Sequence, residues 1–530
     1  MVAGTTIQNS KFKIQNYLLM AILLLASFLR LYRIQDYMTF LGDEGRDVLV
    51  AYNILHGHLT LLGPTSSVGG FFLGPIYYYF MAPFLLLFNY NPVGPAVMVA
   101  LFGVATVWLI YKFCSDLFNS KIGIIASCLY AISPLVIAYS RSSWNPNILP
   151  FFSLLSLYAL YKASSKNNGK LLFIVGLLLG VAMQLHYLAI FLGVIIFTYK
   201  ITAWIFNKKG KWTGAFLNLI RQFFLITAGF IVGWSPFLAF EIRHNLLDFK
   251  NIFNFVFHSG NTGANPNFFY NIYDVFFRLF GRLVFYFPSK EQFSQYSLRI
   301  LDLWTAVVLL IAVLSTLLLL KSLYKSFRSK EEDFGKYLLL SLWIFIGVFL
   351  FGFYKKPIYD YYFAFMFPLP FILVGGLIFK IYEFKKIKNI GKLLAALVLF
   401  LVILLNLQGV PFRYPANRQL NQMETIARFV NDKTEGKAFN FALITGGNSD
   451  HAYRYFFTIW GHPPVTIENS FNDPKRTTAT NQLLVVCESL PCYPLGNSLW
   501  EIAGFGQADI AGHWNVSVVE VYRLVHHKGK

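Results

Sequence analysis

The sequence predicts a polytopic α-helical membrane protein that ends in a small α/β domain outside the membrane. Three observations carry that reading. Of 530 residues, 56% are hydrophobic and 13% charged, with a mean hydropathy of +0.53, far from the balance of a soluble domain. Apolar runs that can supply the ~20 helical residues of a bilayer crossing recur up to about residue 410. Beyond that point the pattern changes to short alternating runs. The 56 Phe and 31 Tyr suit lipid-facing and interfacial surface, and the formal charge of +20 suits loops anchored on one membrane face. Nothing in this balance points to nucleic acid.

Residues 1 to 34 carry Lys11 and Lys13 ahead of an apolar run that closes in "FLRLYRI" without a small-residue cleavage site, so it is expected to stay as the first span. Further spans are expected near 96–113, 122–140, 148–162, 213–240, 301–322, 337–354, 361–382 and 393–410. The run 171–206 is too long for one crossing and is interrupted by Gln184, His186 and Tyr187. It allows a hairpin of two short spans or one long tilted helix. The Tyr-rich, Pro-broken run 71–88 either crosses or lies along the interface.

Loop charge decides between these topologies, because Lys and Arg in short loops prefer the cytoplasm. With 71–88 interfacial and 171–206 a hairpin, Lys112, Lys121, Lys162, Lys166 and Lys170 fall inside, together with "NKKGK", "KSLYKSFRSK" and "EFKKIKNIGK". The opposite choice exports five lysines to internalise Arg141. The expectation is about eleven spans in a plasma (inner) membrane, with a cytoplasmic amino terminus and an extracytoplasmic carboxyl terminus. Residues 1–410 then form the membrane domain, with a first external loop over 35–95 that carries interfacial helices, and 411–530 form the external domain.

In that domain, strands are expected at 439–446, 482–489 and 515–525, with helices at 415–432 and 450–460. "ITGGNS" after the first strand lacks the lysine of a phosphate-binding loop and reads as a plain turn. Cys487 and Cys492 either pair or stay free thiols, and Cys114 and Cys128 read as packing residues in spans. Neither a solenoid repeat nor zinc-ligand spacing is present in the sequence.

The unusual polar residues converge on the external face. "FLGDEGRDVLVAYNILHGH" (40–58) puts Asp43 and Glu44 at the start of an amphipathic helix. Acids there can simply complement the positive helix end, an effect of ~0.3–1 kcal/mol. However, Arg141, Arg243, His244, Lys355 and Lys356 stand at external ends of distant spans, beside Trp144, Asn145, His186, Tyr187, Glu241, Tyr359, Tyr361 and Tyr362. Singly each cation suits a snorkelling or loop charge. Collectively they suit an anion site, with Arg141, Arg243, His244, Lys355, Lys356 and Tyr361 around the anion and Trp144, Asn145, His186, Tyr187 and Glu241 lining the pocket.

The first span followed by "GDEGRD", the continuation "GPTSSVGGFFLGPIYYYF", the tip "SRSSWNPN" and "PFLAFEIRHN" resemble the GT-C superfamily of membrane glycosyltransferases. The branch they are similar to is that of the protein O-mannosyltransferase-like and lipid A aminoarabinose transferase-like enzymes, over roughly residues 10 to 410. The resemblance implies a GT-C-like membrane domain that transfers a sugar from a polyprenyl-phosphate donor to an external acceptor (protein, glycan or lipid). Asp43 is then the catalytic carboxylate and Glu44 a supporting acid. A lipid phosphate leaves as a stable anion, whereas an acceptor hydroxyl must lose a proton, so one base and nearby cations suffice and inversion is expected. A glycosidase would need two opposed carboxylates.

Some superfamily members hold a divalent ion with acids of the first two external loops, but here Asn145 stands at the second tip. No metal ligand is assigned, and Mg²⁺ or Mn²⁺ held by Glu241 and Asp360 with the first-loop acids stays open. A transporter or flippase of lipid-linked sugars and a non-catalytic envelope assembly protein remain as alternative readings. His186 and Arg221 alone come near the mid-membrane ionisable groups that transport calls for.

Overall fold

The computed structural model describes all residues except 1, 67–68, 167, 207–211, 330–332, 385–387 and 528–530. The basic run 207–211, and parts of those at 321–330 and 383–392, therefore lie outside the described residues.

The chain opens with the long helix α1 (Val2–Leu31). The segment before the next span holds α2 (Ile34–Tyr37), α3 (Gly42–Leu55) and α4 (Ile76–Leu87). Helix α4 has 12 residues, about 18 Å at 1.5 Å per residue and short of the ~30 Å hydrocarbon core. Then come α5 (Val93–Leu117), α6 (Ser120–Ile132) and α7 (Pro134–Tyr139). Helix α6 stops at Ser133, which is extended (φ −64°, ψ 118°) because it precedes Pro134.

Helices α8 (Leu149–Lys166), α9 (Gly169–Leu185), α10 (Ile190–Phe206) and α11 (Trp212–Gly233) follow. The run 171–206 is broken rather than one long helix. His186 adopts φ −163° and ψ 130°, and its ring Nδ1 accepts the Leu188 N–H at 3.2 Å. Helices α9 and α11 meet through paired glycines, since a Cβ on Gly176 or Gly180 would collide with the α11 backbone and one on Gly229 or Gly233 with that of α9. Spacing of four on both partners is the small-residue pattern that lets helices approach in a membrane.

The remaining helices of this part are α12 (Ser235–Arg243), α13 (Leu247–Phe257), α14 (Phe268–Val284), α15 (Leu298–Ser329), α16 (Phe334–Phe349), α17 (Pro368–Tyr382) and α18 (Lys388–Gln408). Among the described residues, seven helices are long and apolar enough to cross a membrane. The count rises to eight when Asp360–Met366 and α17, bent by 60°, form one span.

After α18 come α19 (Gln419–Lys433), β1 (Asn440–Ile444), α20 (His451–Ile459), β2 (Gln482–Cys487), α21 (Trp500–Ala503), β3 (Ala508–Val516) and β4 (Val519–His526). The sheet runs β1-β2-β4-β3, with β1 and β2 parallel and the other neighbours antiparallel. The expected single strand 515–525 is instead a hairpin. Ser517 turns the chain at φ 56°, and β3, mostly exposed, is an edge strand whose polar sequence carries little alternation. Cys487 and Cys492 form a disulfide. This unit does not stand apart, because side chains of α19, α20, β1, β2 and β4 belong to the same buried cluster as those of the membrane helices.

Candidate active site

Helix α3 separates the acids that the sequence pairs. Glu44 is 7% exposed and turns back to accept the Leu41 N–H at 3.0 Å, which satisfies one orphan donor of the first turn. Asp47 is fully buried, and its Oδ1 accepts from Arg46 Nε at 2.9 Å and Nη2 at 2.7 Å. Asp43 alone faces outward, with a side-chain exposure of 58%, and accepts from Arg46 Nη1 at 2.9 Å. Arg46 thus spans the open and the buried carboxylate. It and Asp47 were quoted in the motif but given no role.

Burial pushes the Glu44 carboxyl up from 4.5 to about 7. Burial also lifts Asp47 from 3.8 to about 6, against the pull of Arg46. The folded protein therefore holds protons that the unfolded chain releases, so this stabilisation is full below about pH 4 and is lost as pH rises through 6 to 7. The thermal midpoint of the purified protein is expected to fall between pH 5 and pH 8. Glu44→Gln, neutral throughout, should remove most of that slope, on the order of 3 kcal/mol. Thermal melts of both proteins across the window check it.

Several predicted ligands are helix caps. The Arg141 guanidinium is buried against the end of α1, donating to the carbonyls of Leu29 (3.0 Å), Arg30 (3.2 Å) and Tyr32 (2.7 Å). Asn145 is buried and donates Nδ2 to the Leu185 carbonyl at 2.5 Å, closing α9. Glu241 is fully buried, with its two oxygens taken by the N–H groups of Asp248 (3.2 Å) and Phe249 (2.9 Å) at the start of α13. His244 stacks on Phe240 at 3.9 Å, while Arg243 and Lys355 are exposed and line no described cavity.

Of the other predicted residues, Trp144, Lys356, Tyr359 and Tyr361 line one cavity of about 710 Å³, whose lining includes neither Asp43 nor Glu44. Trp144 meets Tyr361 edge-on at 4.4 Å. Behind them the His186 ring lies 5.8 Å from Tyr361 and 5.6 Å from Tyr362, and Tyr187 pairs with Ser66 through its hydroxyl. The loop carrying Trp144 also bonds the first-loop segment. Ser142 exchanges hydrogen bonds with Thr39, and Ser143 meets the Tyr77 hydroxyl at 2.9 Å.

The strongest charges of this cavity were missed. Asp274, Arg278 and Arg282 recur every four residues along α14 and so share one stripe. Asp360 holds both arginines, receiving Arg278 Nη2 at 2.5 Å on Oδ1 and Arg282 Nε at 2.7 Å on Oδ2. Arg278 is held at all three nitrogens, since Nε also serves Asp360 (2.9 Å) and Nη1 serves Asp274 (2.9 Å) and the Ile358 carbonyl (2.8 Å). Among the described residues, no acceptor is recorded for the two Nη groups of Arg282. Among the described residues, Lys290 donates to the Tyr270 hydroxyl at 3.4 Å, Glu291 beside it lines the same cavity, and Lys356 is exposed at the rim. The sequence signal was "DVFFRLFGRLV", two arginines four apart on an amphipathic helix.

These residues do not fit a divalent cation. Glu241 and Asp360 spend their oxygens on helix amides and arginines. Among the described residues, no three His, Cys, Asp or Glu side chains assemble.

Residues 73–226 match the family model of dolichyl-phosphate-mannose-protein mannosyltransferase. No curated protein matches the chain. Among solved structures, ArnT from Cupriavidus metallidurans bound to undecaprenyl phosphate superposes with a TM-score of 0.59 at 12% identity, over 96% of this chain and 97% of that one. The archaeal oligosaccharyltransferase AglB from Archaeoglobus fulgidus, in complex with an inhibitory peptide and a dolichol-phosphate, gives 0.54 at 13% identity, over 90% of this chain and 69% of that one. The chain has the GT-C fold. Within this GT-C fold, the family-model match covers the Trp144 loop and the His186 break but stops short of α14 and begins after Asp43.

Proposed function

We propose that this protein transfers a sugar from a polyprenyl-phosphate donor to an acceptor hydroxyl on the extracytoplasmic face, with inversion. The observation that supports it most is the cavity whose wall sets Arg278, Arg282, Lys290 and Lys356 against Asp274, Glu291 and Asp360, one positive charge in excess, beside aromatic side chains, with no acceptor recorded among the described residues for the Arg282 Nη groups. Its ~300–1,000 Å³ class suits a lipid headgroup with its sugar. The anomeric C–O bond breaks with its electron pair passing to the phosphate, and the fixed cations stabilise that charge as it develops. Asp43 takes the proton from the attacking hydroxyl, for which its exposure leaves room. Lys355, Arg243, His244 and Arg141, expected at the phosphate, are replaced in this role by Arg282 and Lys290, with Lys356 kept.

The ArnT and AglB structures, with undecaprenyl phosphate and dolichol-phosphate bound, are consistent with such a carrier. The test is single-turnover release of polyprenyl phosphate coupled to glycosylation of an added acceptor. Binding of the donor without either product would leave a transporter or an assembly protein as the better reading.

Orientation has its own expected result. In intact cells a cysteine at Lys356 should react fully with an impermeant thiol reagent, and one at Lys112, exposed at the other end of the bundle, should not. Labelling of Lys112→Cys alone would turn the site to the cytoplasm.

A further inference from the structure

The loop between β1 and α20, which the sequence reads as a plain turn, closes over the first turn of α3. Asn448 Oδ1 accepts the N–H of Gly42 at 2.8 Å and that of Ser449 at 2.9 Å. Its Nδ2 donates to both oxygens of Glu488 at 3.1 Å. Glu488 is fixed in turn by the hydroxyls of Thr445 (2.9 Å) and Tyr453 (2.8 Å), and it follows Cys487 of the Cys487–Cys492 disulfide. The backbones touch as well, because a Cβ on Gly42 would run into Ser449 and one on Gly45 into Ala452.

An amide at the start of a helix has no partner within that helix, and here the partner comes from 406 positions away. Asn448 can serve both sides only in one orientation, with its oxygen on Gly42 and its amino group on the carboxylate. Gly42 is the residue before Asp43, so whatever fixes its N–H fixes the origin of the Asp43 side chain.

We propose that Asn448, oriented by Glu488, is a positioning residue for Asp43, and that the carboxyl-terminal α/β unit is thereby an integral part of the catalytic site. The inference rests on the reading of Asp43 as the base. A displacement of ~1 Å at a catalytic group costs on the order of 10²-fold in rate, and on this reading the Asn448 acceptor is what keeps the first turn of α3 from shifting on that scale.

The test uses full-length protein and four variants. Asn448→Ala should slow single-turnover transfer ~10- to 100-fold and speed amide exchange in the peptide over 39–47. Affinity for undecaprenyl phosphate, used as the binding probe, should stay unchanged. Asn448→Asp should slow transfer as well, since two carboxylates then face each other, and so should Glu488→Gln, which sets two amides together in a site arranged for one. The double variant Asn448→Asp with Glu488→Gln restores an acceptor for Gly42 and a donor–acceptor pair of reversed sense. Its rate should return to within ~3-fold of the parent. Parental rate in Asn448→Ala, an equal loss of undecaprenyl phosphate affinity, or absence of rescue would each overturn the proposal. Normal turnover by Asp43→Asn would instead sink the base assignment, while amide exchange would still report whether Asn448 holds the turn.

Discussion

Purified Asp43→Asn protein is expected to transfer sugar ~10²–10⁴ times more slowly than the parent while binding undecaprenyl phosphate equally well. The amide keeps the shape of the side chain and an oxygen that can accept from Arg46 Nη1, the side-chain partner of Asp43 among the described residues. It cannot take a proton from a hydroxyl. Because Asp43 is more than half exposed, its replacement leaves no buried group without a partner, so the fold should survive. The neighbouring acids provide the contrast. Glu44 points back at Leu41, and Asp47 lies beneath Arg46. Glu44→Gln should therefore change stability and its pH dependence more than rate. Single-turnover assays of both variants decide the matter, and near-parental turnover by Asp43→Asn would remove it as the base.

Composition and apolar run length were enough to read a mostly helical membrane protein, because burial in lipid demands continuous apolar sequence, but not the breaks in 122–140 and 213–240, and seven or eight helices among the described residues, against about eleven expected, are long and apolar enough to cross. They also placed the α/β change after α18, except where edge strand β3 lacks a strong alternating pattern. The candidate site was legible only in part. Asp43 stood out through local chemistry, and Trp144, Tyr361 and Lys356 through their positions at the same ends of different spans. Arg141, Asn145 and Glu241 stood at equally suggestive positions, yet each closes a helix end, Arg141 and Asn145 on helices remote in sequence and Glu241 on the next helix. A polar side chain that caps a distant helix and one that binds a ligand look alike until the fold brings the helix end to it. Arg278 and Arg282 were missed for the converse reason. They sit between the spans expected at 213–240 and 301–322, where an amphipathic helix carries its charges on the face turned to the cavity.

Arg282→Met is expected to weaken undecaprenyl phosphate binding ~10- to 100-fold, the loss that follows when a charge-assisted hydrogen bond of ~1.5–3 kcal/mol is removed. Arg282 is the best-placed cation, since Asp360 holds its Nε at 2.7 Å and so aims the two Nη groups, for which no acceptor is recorded among the described residues. A planar fork fixed in this way suits a phosphate, and Met keeps the stem packed while deleting the fork. Arg282→Lys should recover only part of the affinity, because a lysine supplies charge but not two parallel donors. Lys290→Met and Lys356→Met should cost less, as each is a flexible point charge at a wetter position. Arg278 makes the opposite case. Each of its three nitrogens is engaged, with Asp274, Asp360 and the Ile358 carbonyl taking four of its five N–H groups. Removing it leaves Asp360 with a single arginine, so Arg278→Met should lower the thermal midpoint and the affinity together. Equilibrium binding of undecaprenyl phosphate to the five proteins separates these roles. Unchanged affinity in a stable Arg282→Met protein would make the Arg278–Asp360–Arg282 array a structural clamp and move the phosphate elsewhere.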